Sequence, residues 1–125
     1  MQYQSEKFAL PDAELRCLML FDNERYLTAK NIAHKMNVVK SRVSKIIEGL
    51  ADKELVQKLI DPADSRVTLI SLTPEGHKKL AQINEFQDFI YREVLSHMAP
   101  EQRITMINNL ELLKASMESL KELMV

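Results

Sequence analysis

The side chains in this sequence best placed to do chemistry are cations and short hydroxyls. Lys40, Ser41, Arg42, Ser44 and Lys45 lie close together in one segment, and helical spacing gathers them on or near one open face. Asp64 and Arg66 stand two residues apart in a charged turn a little further on. Thr28 adds a hydroxyl at the start of an earlier helix. Together these residues offer positive charge, a planar guanidinium fork and hydrogen-bond donors. That set suits recognition of a polyanion: a helix fits a nucleic-acid groove, and an arginine fork can pair with base edges or phosphates.

The charge pattern along the chain points the same way. Net charge is −1, so the overall balance says nothing about nucleic acid. Between Arg25 and Ile47, however, there are six Lys or Arg (Arg25, Lys30, Lys35, Lys40, Arg42, Lys45) and no Asp or Glu. From Thr73 onward the chain is acidic on balance. Such asymmetry suggests a basic face meeting a polyanion. On charge alone, a merely solvated helix surface accounts for it equally well.

Enzymatic and metal chemistry find no support. There is no glycine-rich phosphate loop, no Ser/His/Asp set and no clustered carboxylates. His34, His77 and His97 are scattered and make no metal-ligand spacing with the lone cysteine. We therefore expect neither an enzyme nor a cofactor. One cysteine excludes an internal disulfide framework and suits a reducing compartment. No apolar run approaches a membrane span, and the opening MQYQSEKFAL lacks a signal-peptide layout. The expectation is a soluble, cytoplasmic protein with no membrane partner.

The elements that must position the cations follow from periodicity. The 125 residues are 46% apolar and hold two glycines and four prolines, which predicts one mostly helical domain with one core. Residues 1–10 read as a short polar lead. A helix is expected from Pro11, at its first position, to about Asp22, with Leu15, Leu18 and Met19 inward. Asn23 to Arg25 make a turn, and Tyr26-Leu27 a very short strand. Thr28 caps a helix that runs to about Met36 with Ile32, Ala33 and Met36 inward. Asn37 tolerates the left-handed turn that follows. A second helix, about 40–53, buries Val43, Ile46, Ile47 and Leu50. Leu55–Ile60 and Val67–Leu72 read as a hairpin joined by the charged loop 61–66. Thr73-Pro74-Glu75 opens a long helix to about His97, with Leu80, Ile83, Phe86, Ile90, Val94 and Leu95 on one side. Pro100 starts the last helix. Its Leu110, Leu113, Met117, Leu120 and Met124 form a narrow stripe suited to a partner helix.

Ala33, Asn37 and Val43 carry the spacing of a helix-turn-helix: a small residue where two helices cross, a turn residue four later, and a β-branched residue six beyond that. Helical hairpins supply such a triplet by chance. The basic second helix and the hairpin after it make the match specific. IAHKMNVVKSRVSKIIEGLADKELV resembles the two-helix unit of the MarR family of winged helix-turn-helix transcription regulators. DPADSRVTLISLTPEG resembles that family's wing: an Asp-x-Arg tip, a strand, then a Leu-Thr-x-x-Gly helix entry. The likeness is clear from about Pro11 to Ala81.

The resemblance implies a mainly α fold with a small β-hairpin wing. It implies a DNA-binding core at 11–73 and a helical dimerisation region at 74–125, within a single domain 1–125. It also implies a homodimer on double-stranded DNA with a pseudo-palindromic operator, most often as a repressor. Many members respond to small phenolic ligands or oxidants, so a small-molecule effector of unknown identity is one reading, and a regulator without an effector is equally open. By the same resemblance Lys40, Ser41, Arg42, Ser44 and Lys45 face the major groove, with Arg42 reading bases. Lys40, Lys45 and the Thr28 hydroxyl hold phosphates. Arg66 borders the minor groove and Asp64 orients it. The alternative is a winged-helix module that docks a protein without binding an operator.

The sequence departs from the family pattern in three places. Family members usually carry a full helix before the one at Pro11, and only ten residues precede it here. Val39 holds the usual small polar cap position of the recognition helix, a loss of about 0.5–2 kcal/mol. Glu54 stands where glycine commonly ends that helix, so a differently built end is expected. Gly49, inside the same helix, adds roughly 1 kcal/mol of cost. Cys17 lies among Leu18 and Leu20, and a buried structural thiol is the commoner reading than a redox sensor. Met106, Met117 and Met124 read as flexible packing in the C-terminal helices.

Overall fold

The computed structural model describes residues 2–124. Helices α1 (Gln2–Phe8) and α2 (Asp12–Met19) come first. Strand β1 (Leu27–Thr28), helices α3 (Ala29–Met36) and α4 (Lys40–Asp52), and strands β2 (Val56–Asp61) and β3 (Asp64–Leu72) follow. Helices α5 (Pro74–Ser96) and α6 (Pro100–Met124) complete the chain. The sheet is antiparallel with order β1-β3-β2. This is the mainly helical, winged architecture expected. The chain divides into two compact units, Met1–Glu85 and Phe86–Val125.

The first unit has one apolar core. Leu15, Cys17 and Leu18 of α2, Ile32 of α3 and the full expected set from α4 (Val43, Ile46, Ile47, Leu50) are buried together with Leu27, Ile70 and Leu72 of the sheet. Leu80 and Ile83 add the early turns of α5. The α4 positions follow helical spacing, so burial fixes which face of α4 is left outside.

Three of these helices end on non-glycine residues in the left-handed region: Ala9 (φ 54), Asn37 (φ 57) and Glu54 (φ 62). Each end closes with the same pair of backbone bonds. At Glu54, its N–H donates to the Ala51 carbonyl (2.9 Å) and the Leu55 N–H to the Leu50 carbonyl (3.0 Å). At Asn37 the pair runs to His34 (3.4 Å) from Asn37 and to Ala33 (3.1 Å) from Val38. At Ala9 it runs to Glu6 (3.4 Å) and, from Leu10, to Ser5 (3.1 Å). This is the Schellman arrangement. It corrects the expectation of a differently built end at Glu54: that residue accepts the left-handed conformation, at about 1–2 kcal/mol of strain.

Glu54 is held there from outside. The Thr73 hydroxyl donates to its carbonyl (2.6 Å) and accepts from the Gly76 N–H (3.0 Å), so one oxygen ends α4 and caps α5. The Thr73 N–H also donates to the Leu55 carbonyl (3.1 Å). Gly76 is buried, and an added Cβ would overlap that same Leu55 carbonyl oxygen. Gly49 has a different reason: its missing side chain leaves room for the Glu14 carboxylate, which pairs with Lys53 Nζ at 2.6 Å.

Several boundaries differ from expectation. The polar lead is helix α1, with Gln4, Phe8 and Leu10 buried; these side chains and the stop at Ala9 outweigh its polar composition. Pro11 sits at the cap of α2 with extended ψ 147 instead of at the first helical position. That helix stops at Met19, and Leu20, Phe21 and Asp22 continue with tighter bonds to residues three back. The short strand is Leu27–Thr28, paired with Ile70 and Leu69. The loop 61–66 shrinks to the Pro62-Ala63 turn, because Asp61 and Asp64 pair across it and each uses Oδ1 to hold a backbone N–H two residues on. Asp64 and Arg66 are therefore strand residues. Along α5, Leu80 and Ile83 are buried, whereas Ile90 and Val94 are exposed.

In the second unit, α6 spans 25 residues and buries none of them. Leu110, Leu113, Met117, Leu120 and Met124, the expected stripe, are all more than half exposed. Ile104, Leu112 and Leu123 are exposed beside them.

Two substitutions test the junction around Thr73. Gly76→Ala should destabilise by about 3 kcal/mol or more, since the methyl meets backbone and not a mobile side chain. Glu54→Gly should stabilise by about 1 kcal/mol by relieving the positive φ. Urea unfolding midpoints report both, and a neutral Gly76→Ala would refute the close approach.

Candidate nucleic-acid interface

Helix α4 places the cationic ridge. Ser41 and Lys45 lie opposite its buried stripe, with Arg42 and Ser44 on the flanks and Lys40 at the first position. All five are exposed. Among the described residues, none of Lys40, Arg42 and Lys45 forms an ion pair, so their charge faces outward. Ser44 turns its hydroxyl back to donate to the Lys40 carbonyl (3.3 Å). On one side, Ser41, Arg42 and Lys45 line a cleft of about 490 Å³ with Pro11, Ala13 and Glu14 of the α2 start. The Glu14 carboxylate beside it is engaged by Lys53.

The helix begins without a side-chain cap. Val39 occupies the cap with extended backbone (φ −74, ψ 155), and its carbonyl accepts from the Arg42 and Val43 N–H groups at 3.1 Å. The first-turn amides of Lys40 and Ser41 lack an intrahelical acceptor, as at the start of any helix, and make this end favourable for an anion.

The wing carries a rigid fork. Arg66 Nε donates to Asp64 Oδ1 (3.0 Å) and an Arg66 terminal nitrogen donates to Oδ2 (3.1 Å), while the Arg66 backbone N–H also reaches Oδ1 (3.0 Å). The Arg66 side chain is 87% exposed. The arginine holds the Asp64 carboxyl below the usual carboxylate range, and Asp64 in turn raises Arg66. Asp64 thus sits as an orienting partner, as the sequence suggested, with a guanidinium edge left for another acceptor.

Thr28 has a second duty beyond offering a hydroxyl. Its Oγ1 accepts from the Asn31 N–H (3.1 Å), and Asn31 Oδ1 accepts from the Thr28 N–H (3.1 Å). This reciprocal box locks the start of α3 and uses the Thr28 hydroxyl oxygen as an acceptor, so its O–H is still able to donate. Sequence reasoning missed Asn31; its signal was its place three residues after a capping threonine. It also missed Lys58 and Glu48, which line a smaller groove between α4 and the wing with Ser44 and Thr68. Arg25 stacks over the exposed Tyr26 ring at 5.5 Å.

Cys17 is fully buried, and burial, aided by Glu14, pushes its thiol up to about 12. That is the structural thiol expected. Among the described residues no group of three metal-ligating side chains gathers, and no helix is long and apolar enough to cross a membrane.

The sequence profile of the MarR family matches residues 10–68, so the resemblance read from the two motifs is borne out. YdgJ of Bacillus subtilis, an uncharacterized HTH-type transcriptional regulator, is 20% identical over 90% of this chain and 68% of its own length. YsmB of the same organism, described in the same words, is 28% identical over 61% of this chain; the match spans about half (52%) of YsmB. Both are described as transcriptional regulators, in line with the reading of the sequence. A crystal structure of Streptococcus pneumoniae FabT in complex with DNA superposes with a TM-score of 0.83 at 18% identity, covering 89% of this chain and 78% of that one. At that identity the likeness carries the fold.

The thiol and the fork each give a pH signature. Cys17 should resist a thiol reagent at pH 8 in the native state and react once unfolded. Because its folded pKa lies above the ordinary thiol value of 9.0, its contribution to stability should be whole below pH 9 and be lost as pH rises toward 12. Asp64 runs the other way: its contribution is present above the ordinary carboxylate value of 3.8 and is lost only as pH falls below it. NMR titration of the Arg66 Nε–H should therefore show the fork intact at pH 4; loss of the signal shift well above that pH would contradict the geometry.

Proposed function

We propose that this chain, whose residues 10–68 match the MarR family and fold as a winged helix-turn-helix, is a sequence-specific double-stranded DNA-binding transcription regulator. It acts as a repressor that occupies a pseudo-palindromic operator as a homodimer in the cytoplasm. The observation that carries the reading is the exposed, unpaired cation ridge of α4 beside the Asp64-oriented Arg66.

The ridge enters the major groove, and Arg42 pairs with a guanine edge through its planar fork. Lys40, Lys45 and the Thr28 proton contact phosphates and set register. Ser41 and Ser44 add hydroxyl contacts at the base edges or the backbone. Arg66 reaches the minor groove from the wing, where a guanidinium favours the negative potential of a narrowed groove. The DNA-binding core is 11–73 and the dimerisation region 74–125. The support for dimerisation is α6, whose apolar stripe is exposed and in which none of the described residues is buried. A second copy supplies the same stripe and buries both. The structure of FabT with DNA supports this use of the fold.

Selection of bound duplexes from a random library, with the mass of the complex measured, tests all of this together. On the selected duplex, Arg42→Ala should lose about 1–3 kcal/mol of specific binding. Lys45→Ala should lower the slope of log affinity against log salt by about one unit per protomer while leaving the preferred sequence unchanged. Failure to enrich any duplex at moderate salt, or equal binding by wild type and Arg42→Ala, would overturn the assignment.

A further inference from the structure

We infer that Val39 is a specificity residue that reads the 5-methyl group of a thymine at the mouth of the recognition helix. The inference rests on the DNA-binding reading above and extends it to a base. Among the described residues up to Glu85, Val39 and Ile60 are the most exposed large apolar side chains, each at 68%. Val39 lies directly before Lys40, Ser41 and Arg42, at the end of α4 that leads into a groove. It touches neither the core nor a cap bond: no side-chain hydrogen bond is made there, and a serine or aspartate would hold the first-turn amides better. So an apolar, β-branched side chain stands in water where a polar one would serve the free protein.

The backbone under it is fixed. The Val39 carbonyl accepts from both Arg42 and Val43, which ties its Cα to the first turn of the ridge. A β-branched side chain adds stiffness at χ1, so the two methyls are presented in few orientations. The neighbouring cations bring this end of the helix against the polyanion. On the floor of the major groove the apolar feature of a base edge is the thymine methyl; the other groups are hydrogen-bond donors and acceptors. Contact with it removes apolar surface of both partners from water. A hydroxyl in the same place would bind phosphates and several base edges without distinguishing them. The valine thus forgoes a cap and gains a contact that one base provides.

The test uses the duplex selected above. Each thymine is replaced in turn by deoxyuridine, which deletes the methyl and keeps the base pair. For the wild-type protein, one such position per half-site should weaken binding about three- to fourfold, the effect of one methyl group. Val39→Ser should bind the thymine and deoxyuridine duplexes equally, yet unfold at the same or a higher urea concentration, because serine restores the cap. A wild type indifferent to every deoxyuridine, or a Val39→Ser variant as sensitive as wild type, would overturn the inference and leave the DNA-binding reading standing. A wild type that enriches no duplex would overturn both.

Discussion

One hydroxyl holds the working parts of the first unit in register. Thr73 Oγ1 donates to the Glu54 carbonyl and accepts from the Gly76 amide, while the Thr73 N–H reaches the Leu55 carbonyl. These bonds join the end of α4, the approach to β2, the end of β3 and the first turn of α5. Gly76 lets the helix settle against the Leu55 carbonyl where any side chain would collide. The angle of the ridge relative to the wing depends on this knot, since the two strands leave from it. A Leu-Thr-x-x-Gly string thus has a mechanical meaning: a cap that also staples, and a gap for a carbonyl.

The helix ends show how the chain tolerates local strain. Ala9, Asn37 and Glu54 all take positive φ, and neither glycine does. Asparagine suits the conformation, whereas alanine and glutamate do not. Their backbone bonds are satisfied nonetheless, and the residue after each stop turns inward or partly so: Leu10 and Leu55 are buried and Val38 is half-buried. Burial of that following residue offsets the strained one, which is why the stops persist without glycine. The glycines instead stand where two elements approach, Gly76 against Leu55 and Gly49 beneath Glu14.

Charge and burial are divided cleanly along α4. The apolar stripe commits one face to the core, and no carboxylate of the described chain pairs with the cations on the other. Glu14, which lines the cleft beside the ridge, is engaged by Lys53 at 2.6 Å over Gly49. That pair keeps an acid beside the ridge from neutralising it. Asp64 has the opposite task at the wing, where it pairs with the cation and fixes its direction. Paired charge there gives orientation, and unpaired charge on α4 gives attraction.

Much was legible in the sequence because it depended on near neighbours. Helical spacing named Val43, Ile46, Ile47 and Leu50 as the buried face, and therefore the cationic ridge as the open one. Thr28, Asn37 and Thr73 declared their turns and caps by residue type. The Asp64–Arg66 partnership was implied by the likeness of the wing motif, although the sequence set both residues in a loop and not on a strand. Tertiary structure decided what residue type left open. That the polar first residues form α1 depends on Phe8 and Leu10 finding a core. That Glu54 bears a left-handed backbone depends on Thr73, nineteen residues away. The wing turn tightened because Asp61 and Asp64 meet across the strands. Periodicity reports which way a side chain points, but only the packed chain supplies the distant partner that makes an unfavourable local conformation the lower in free energy.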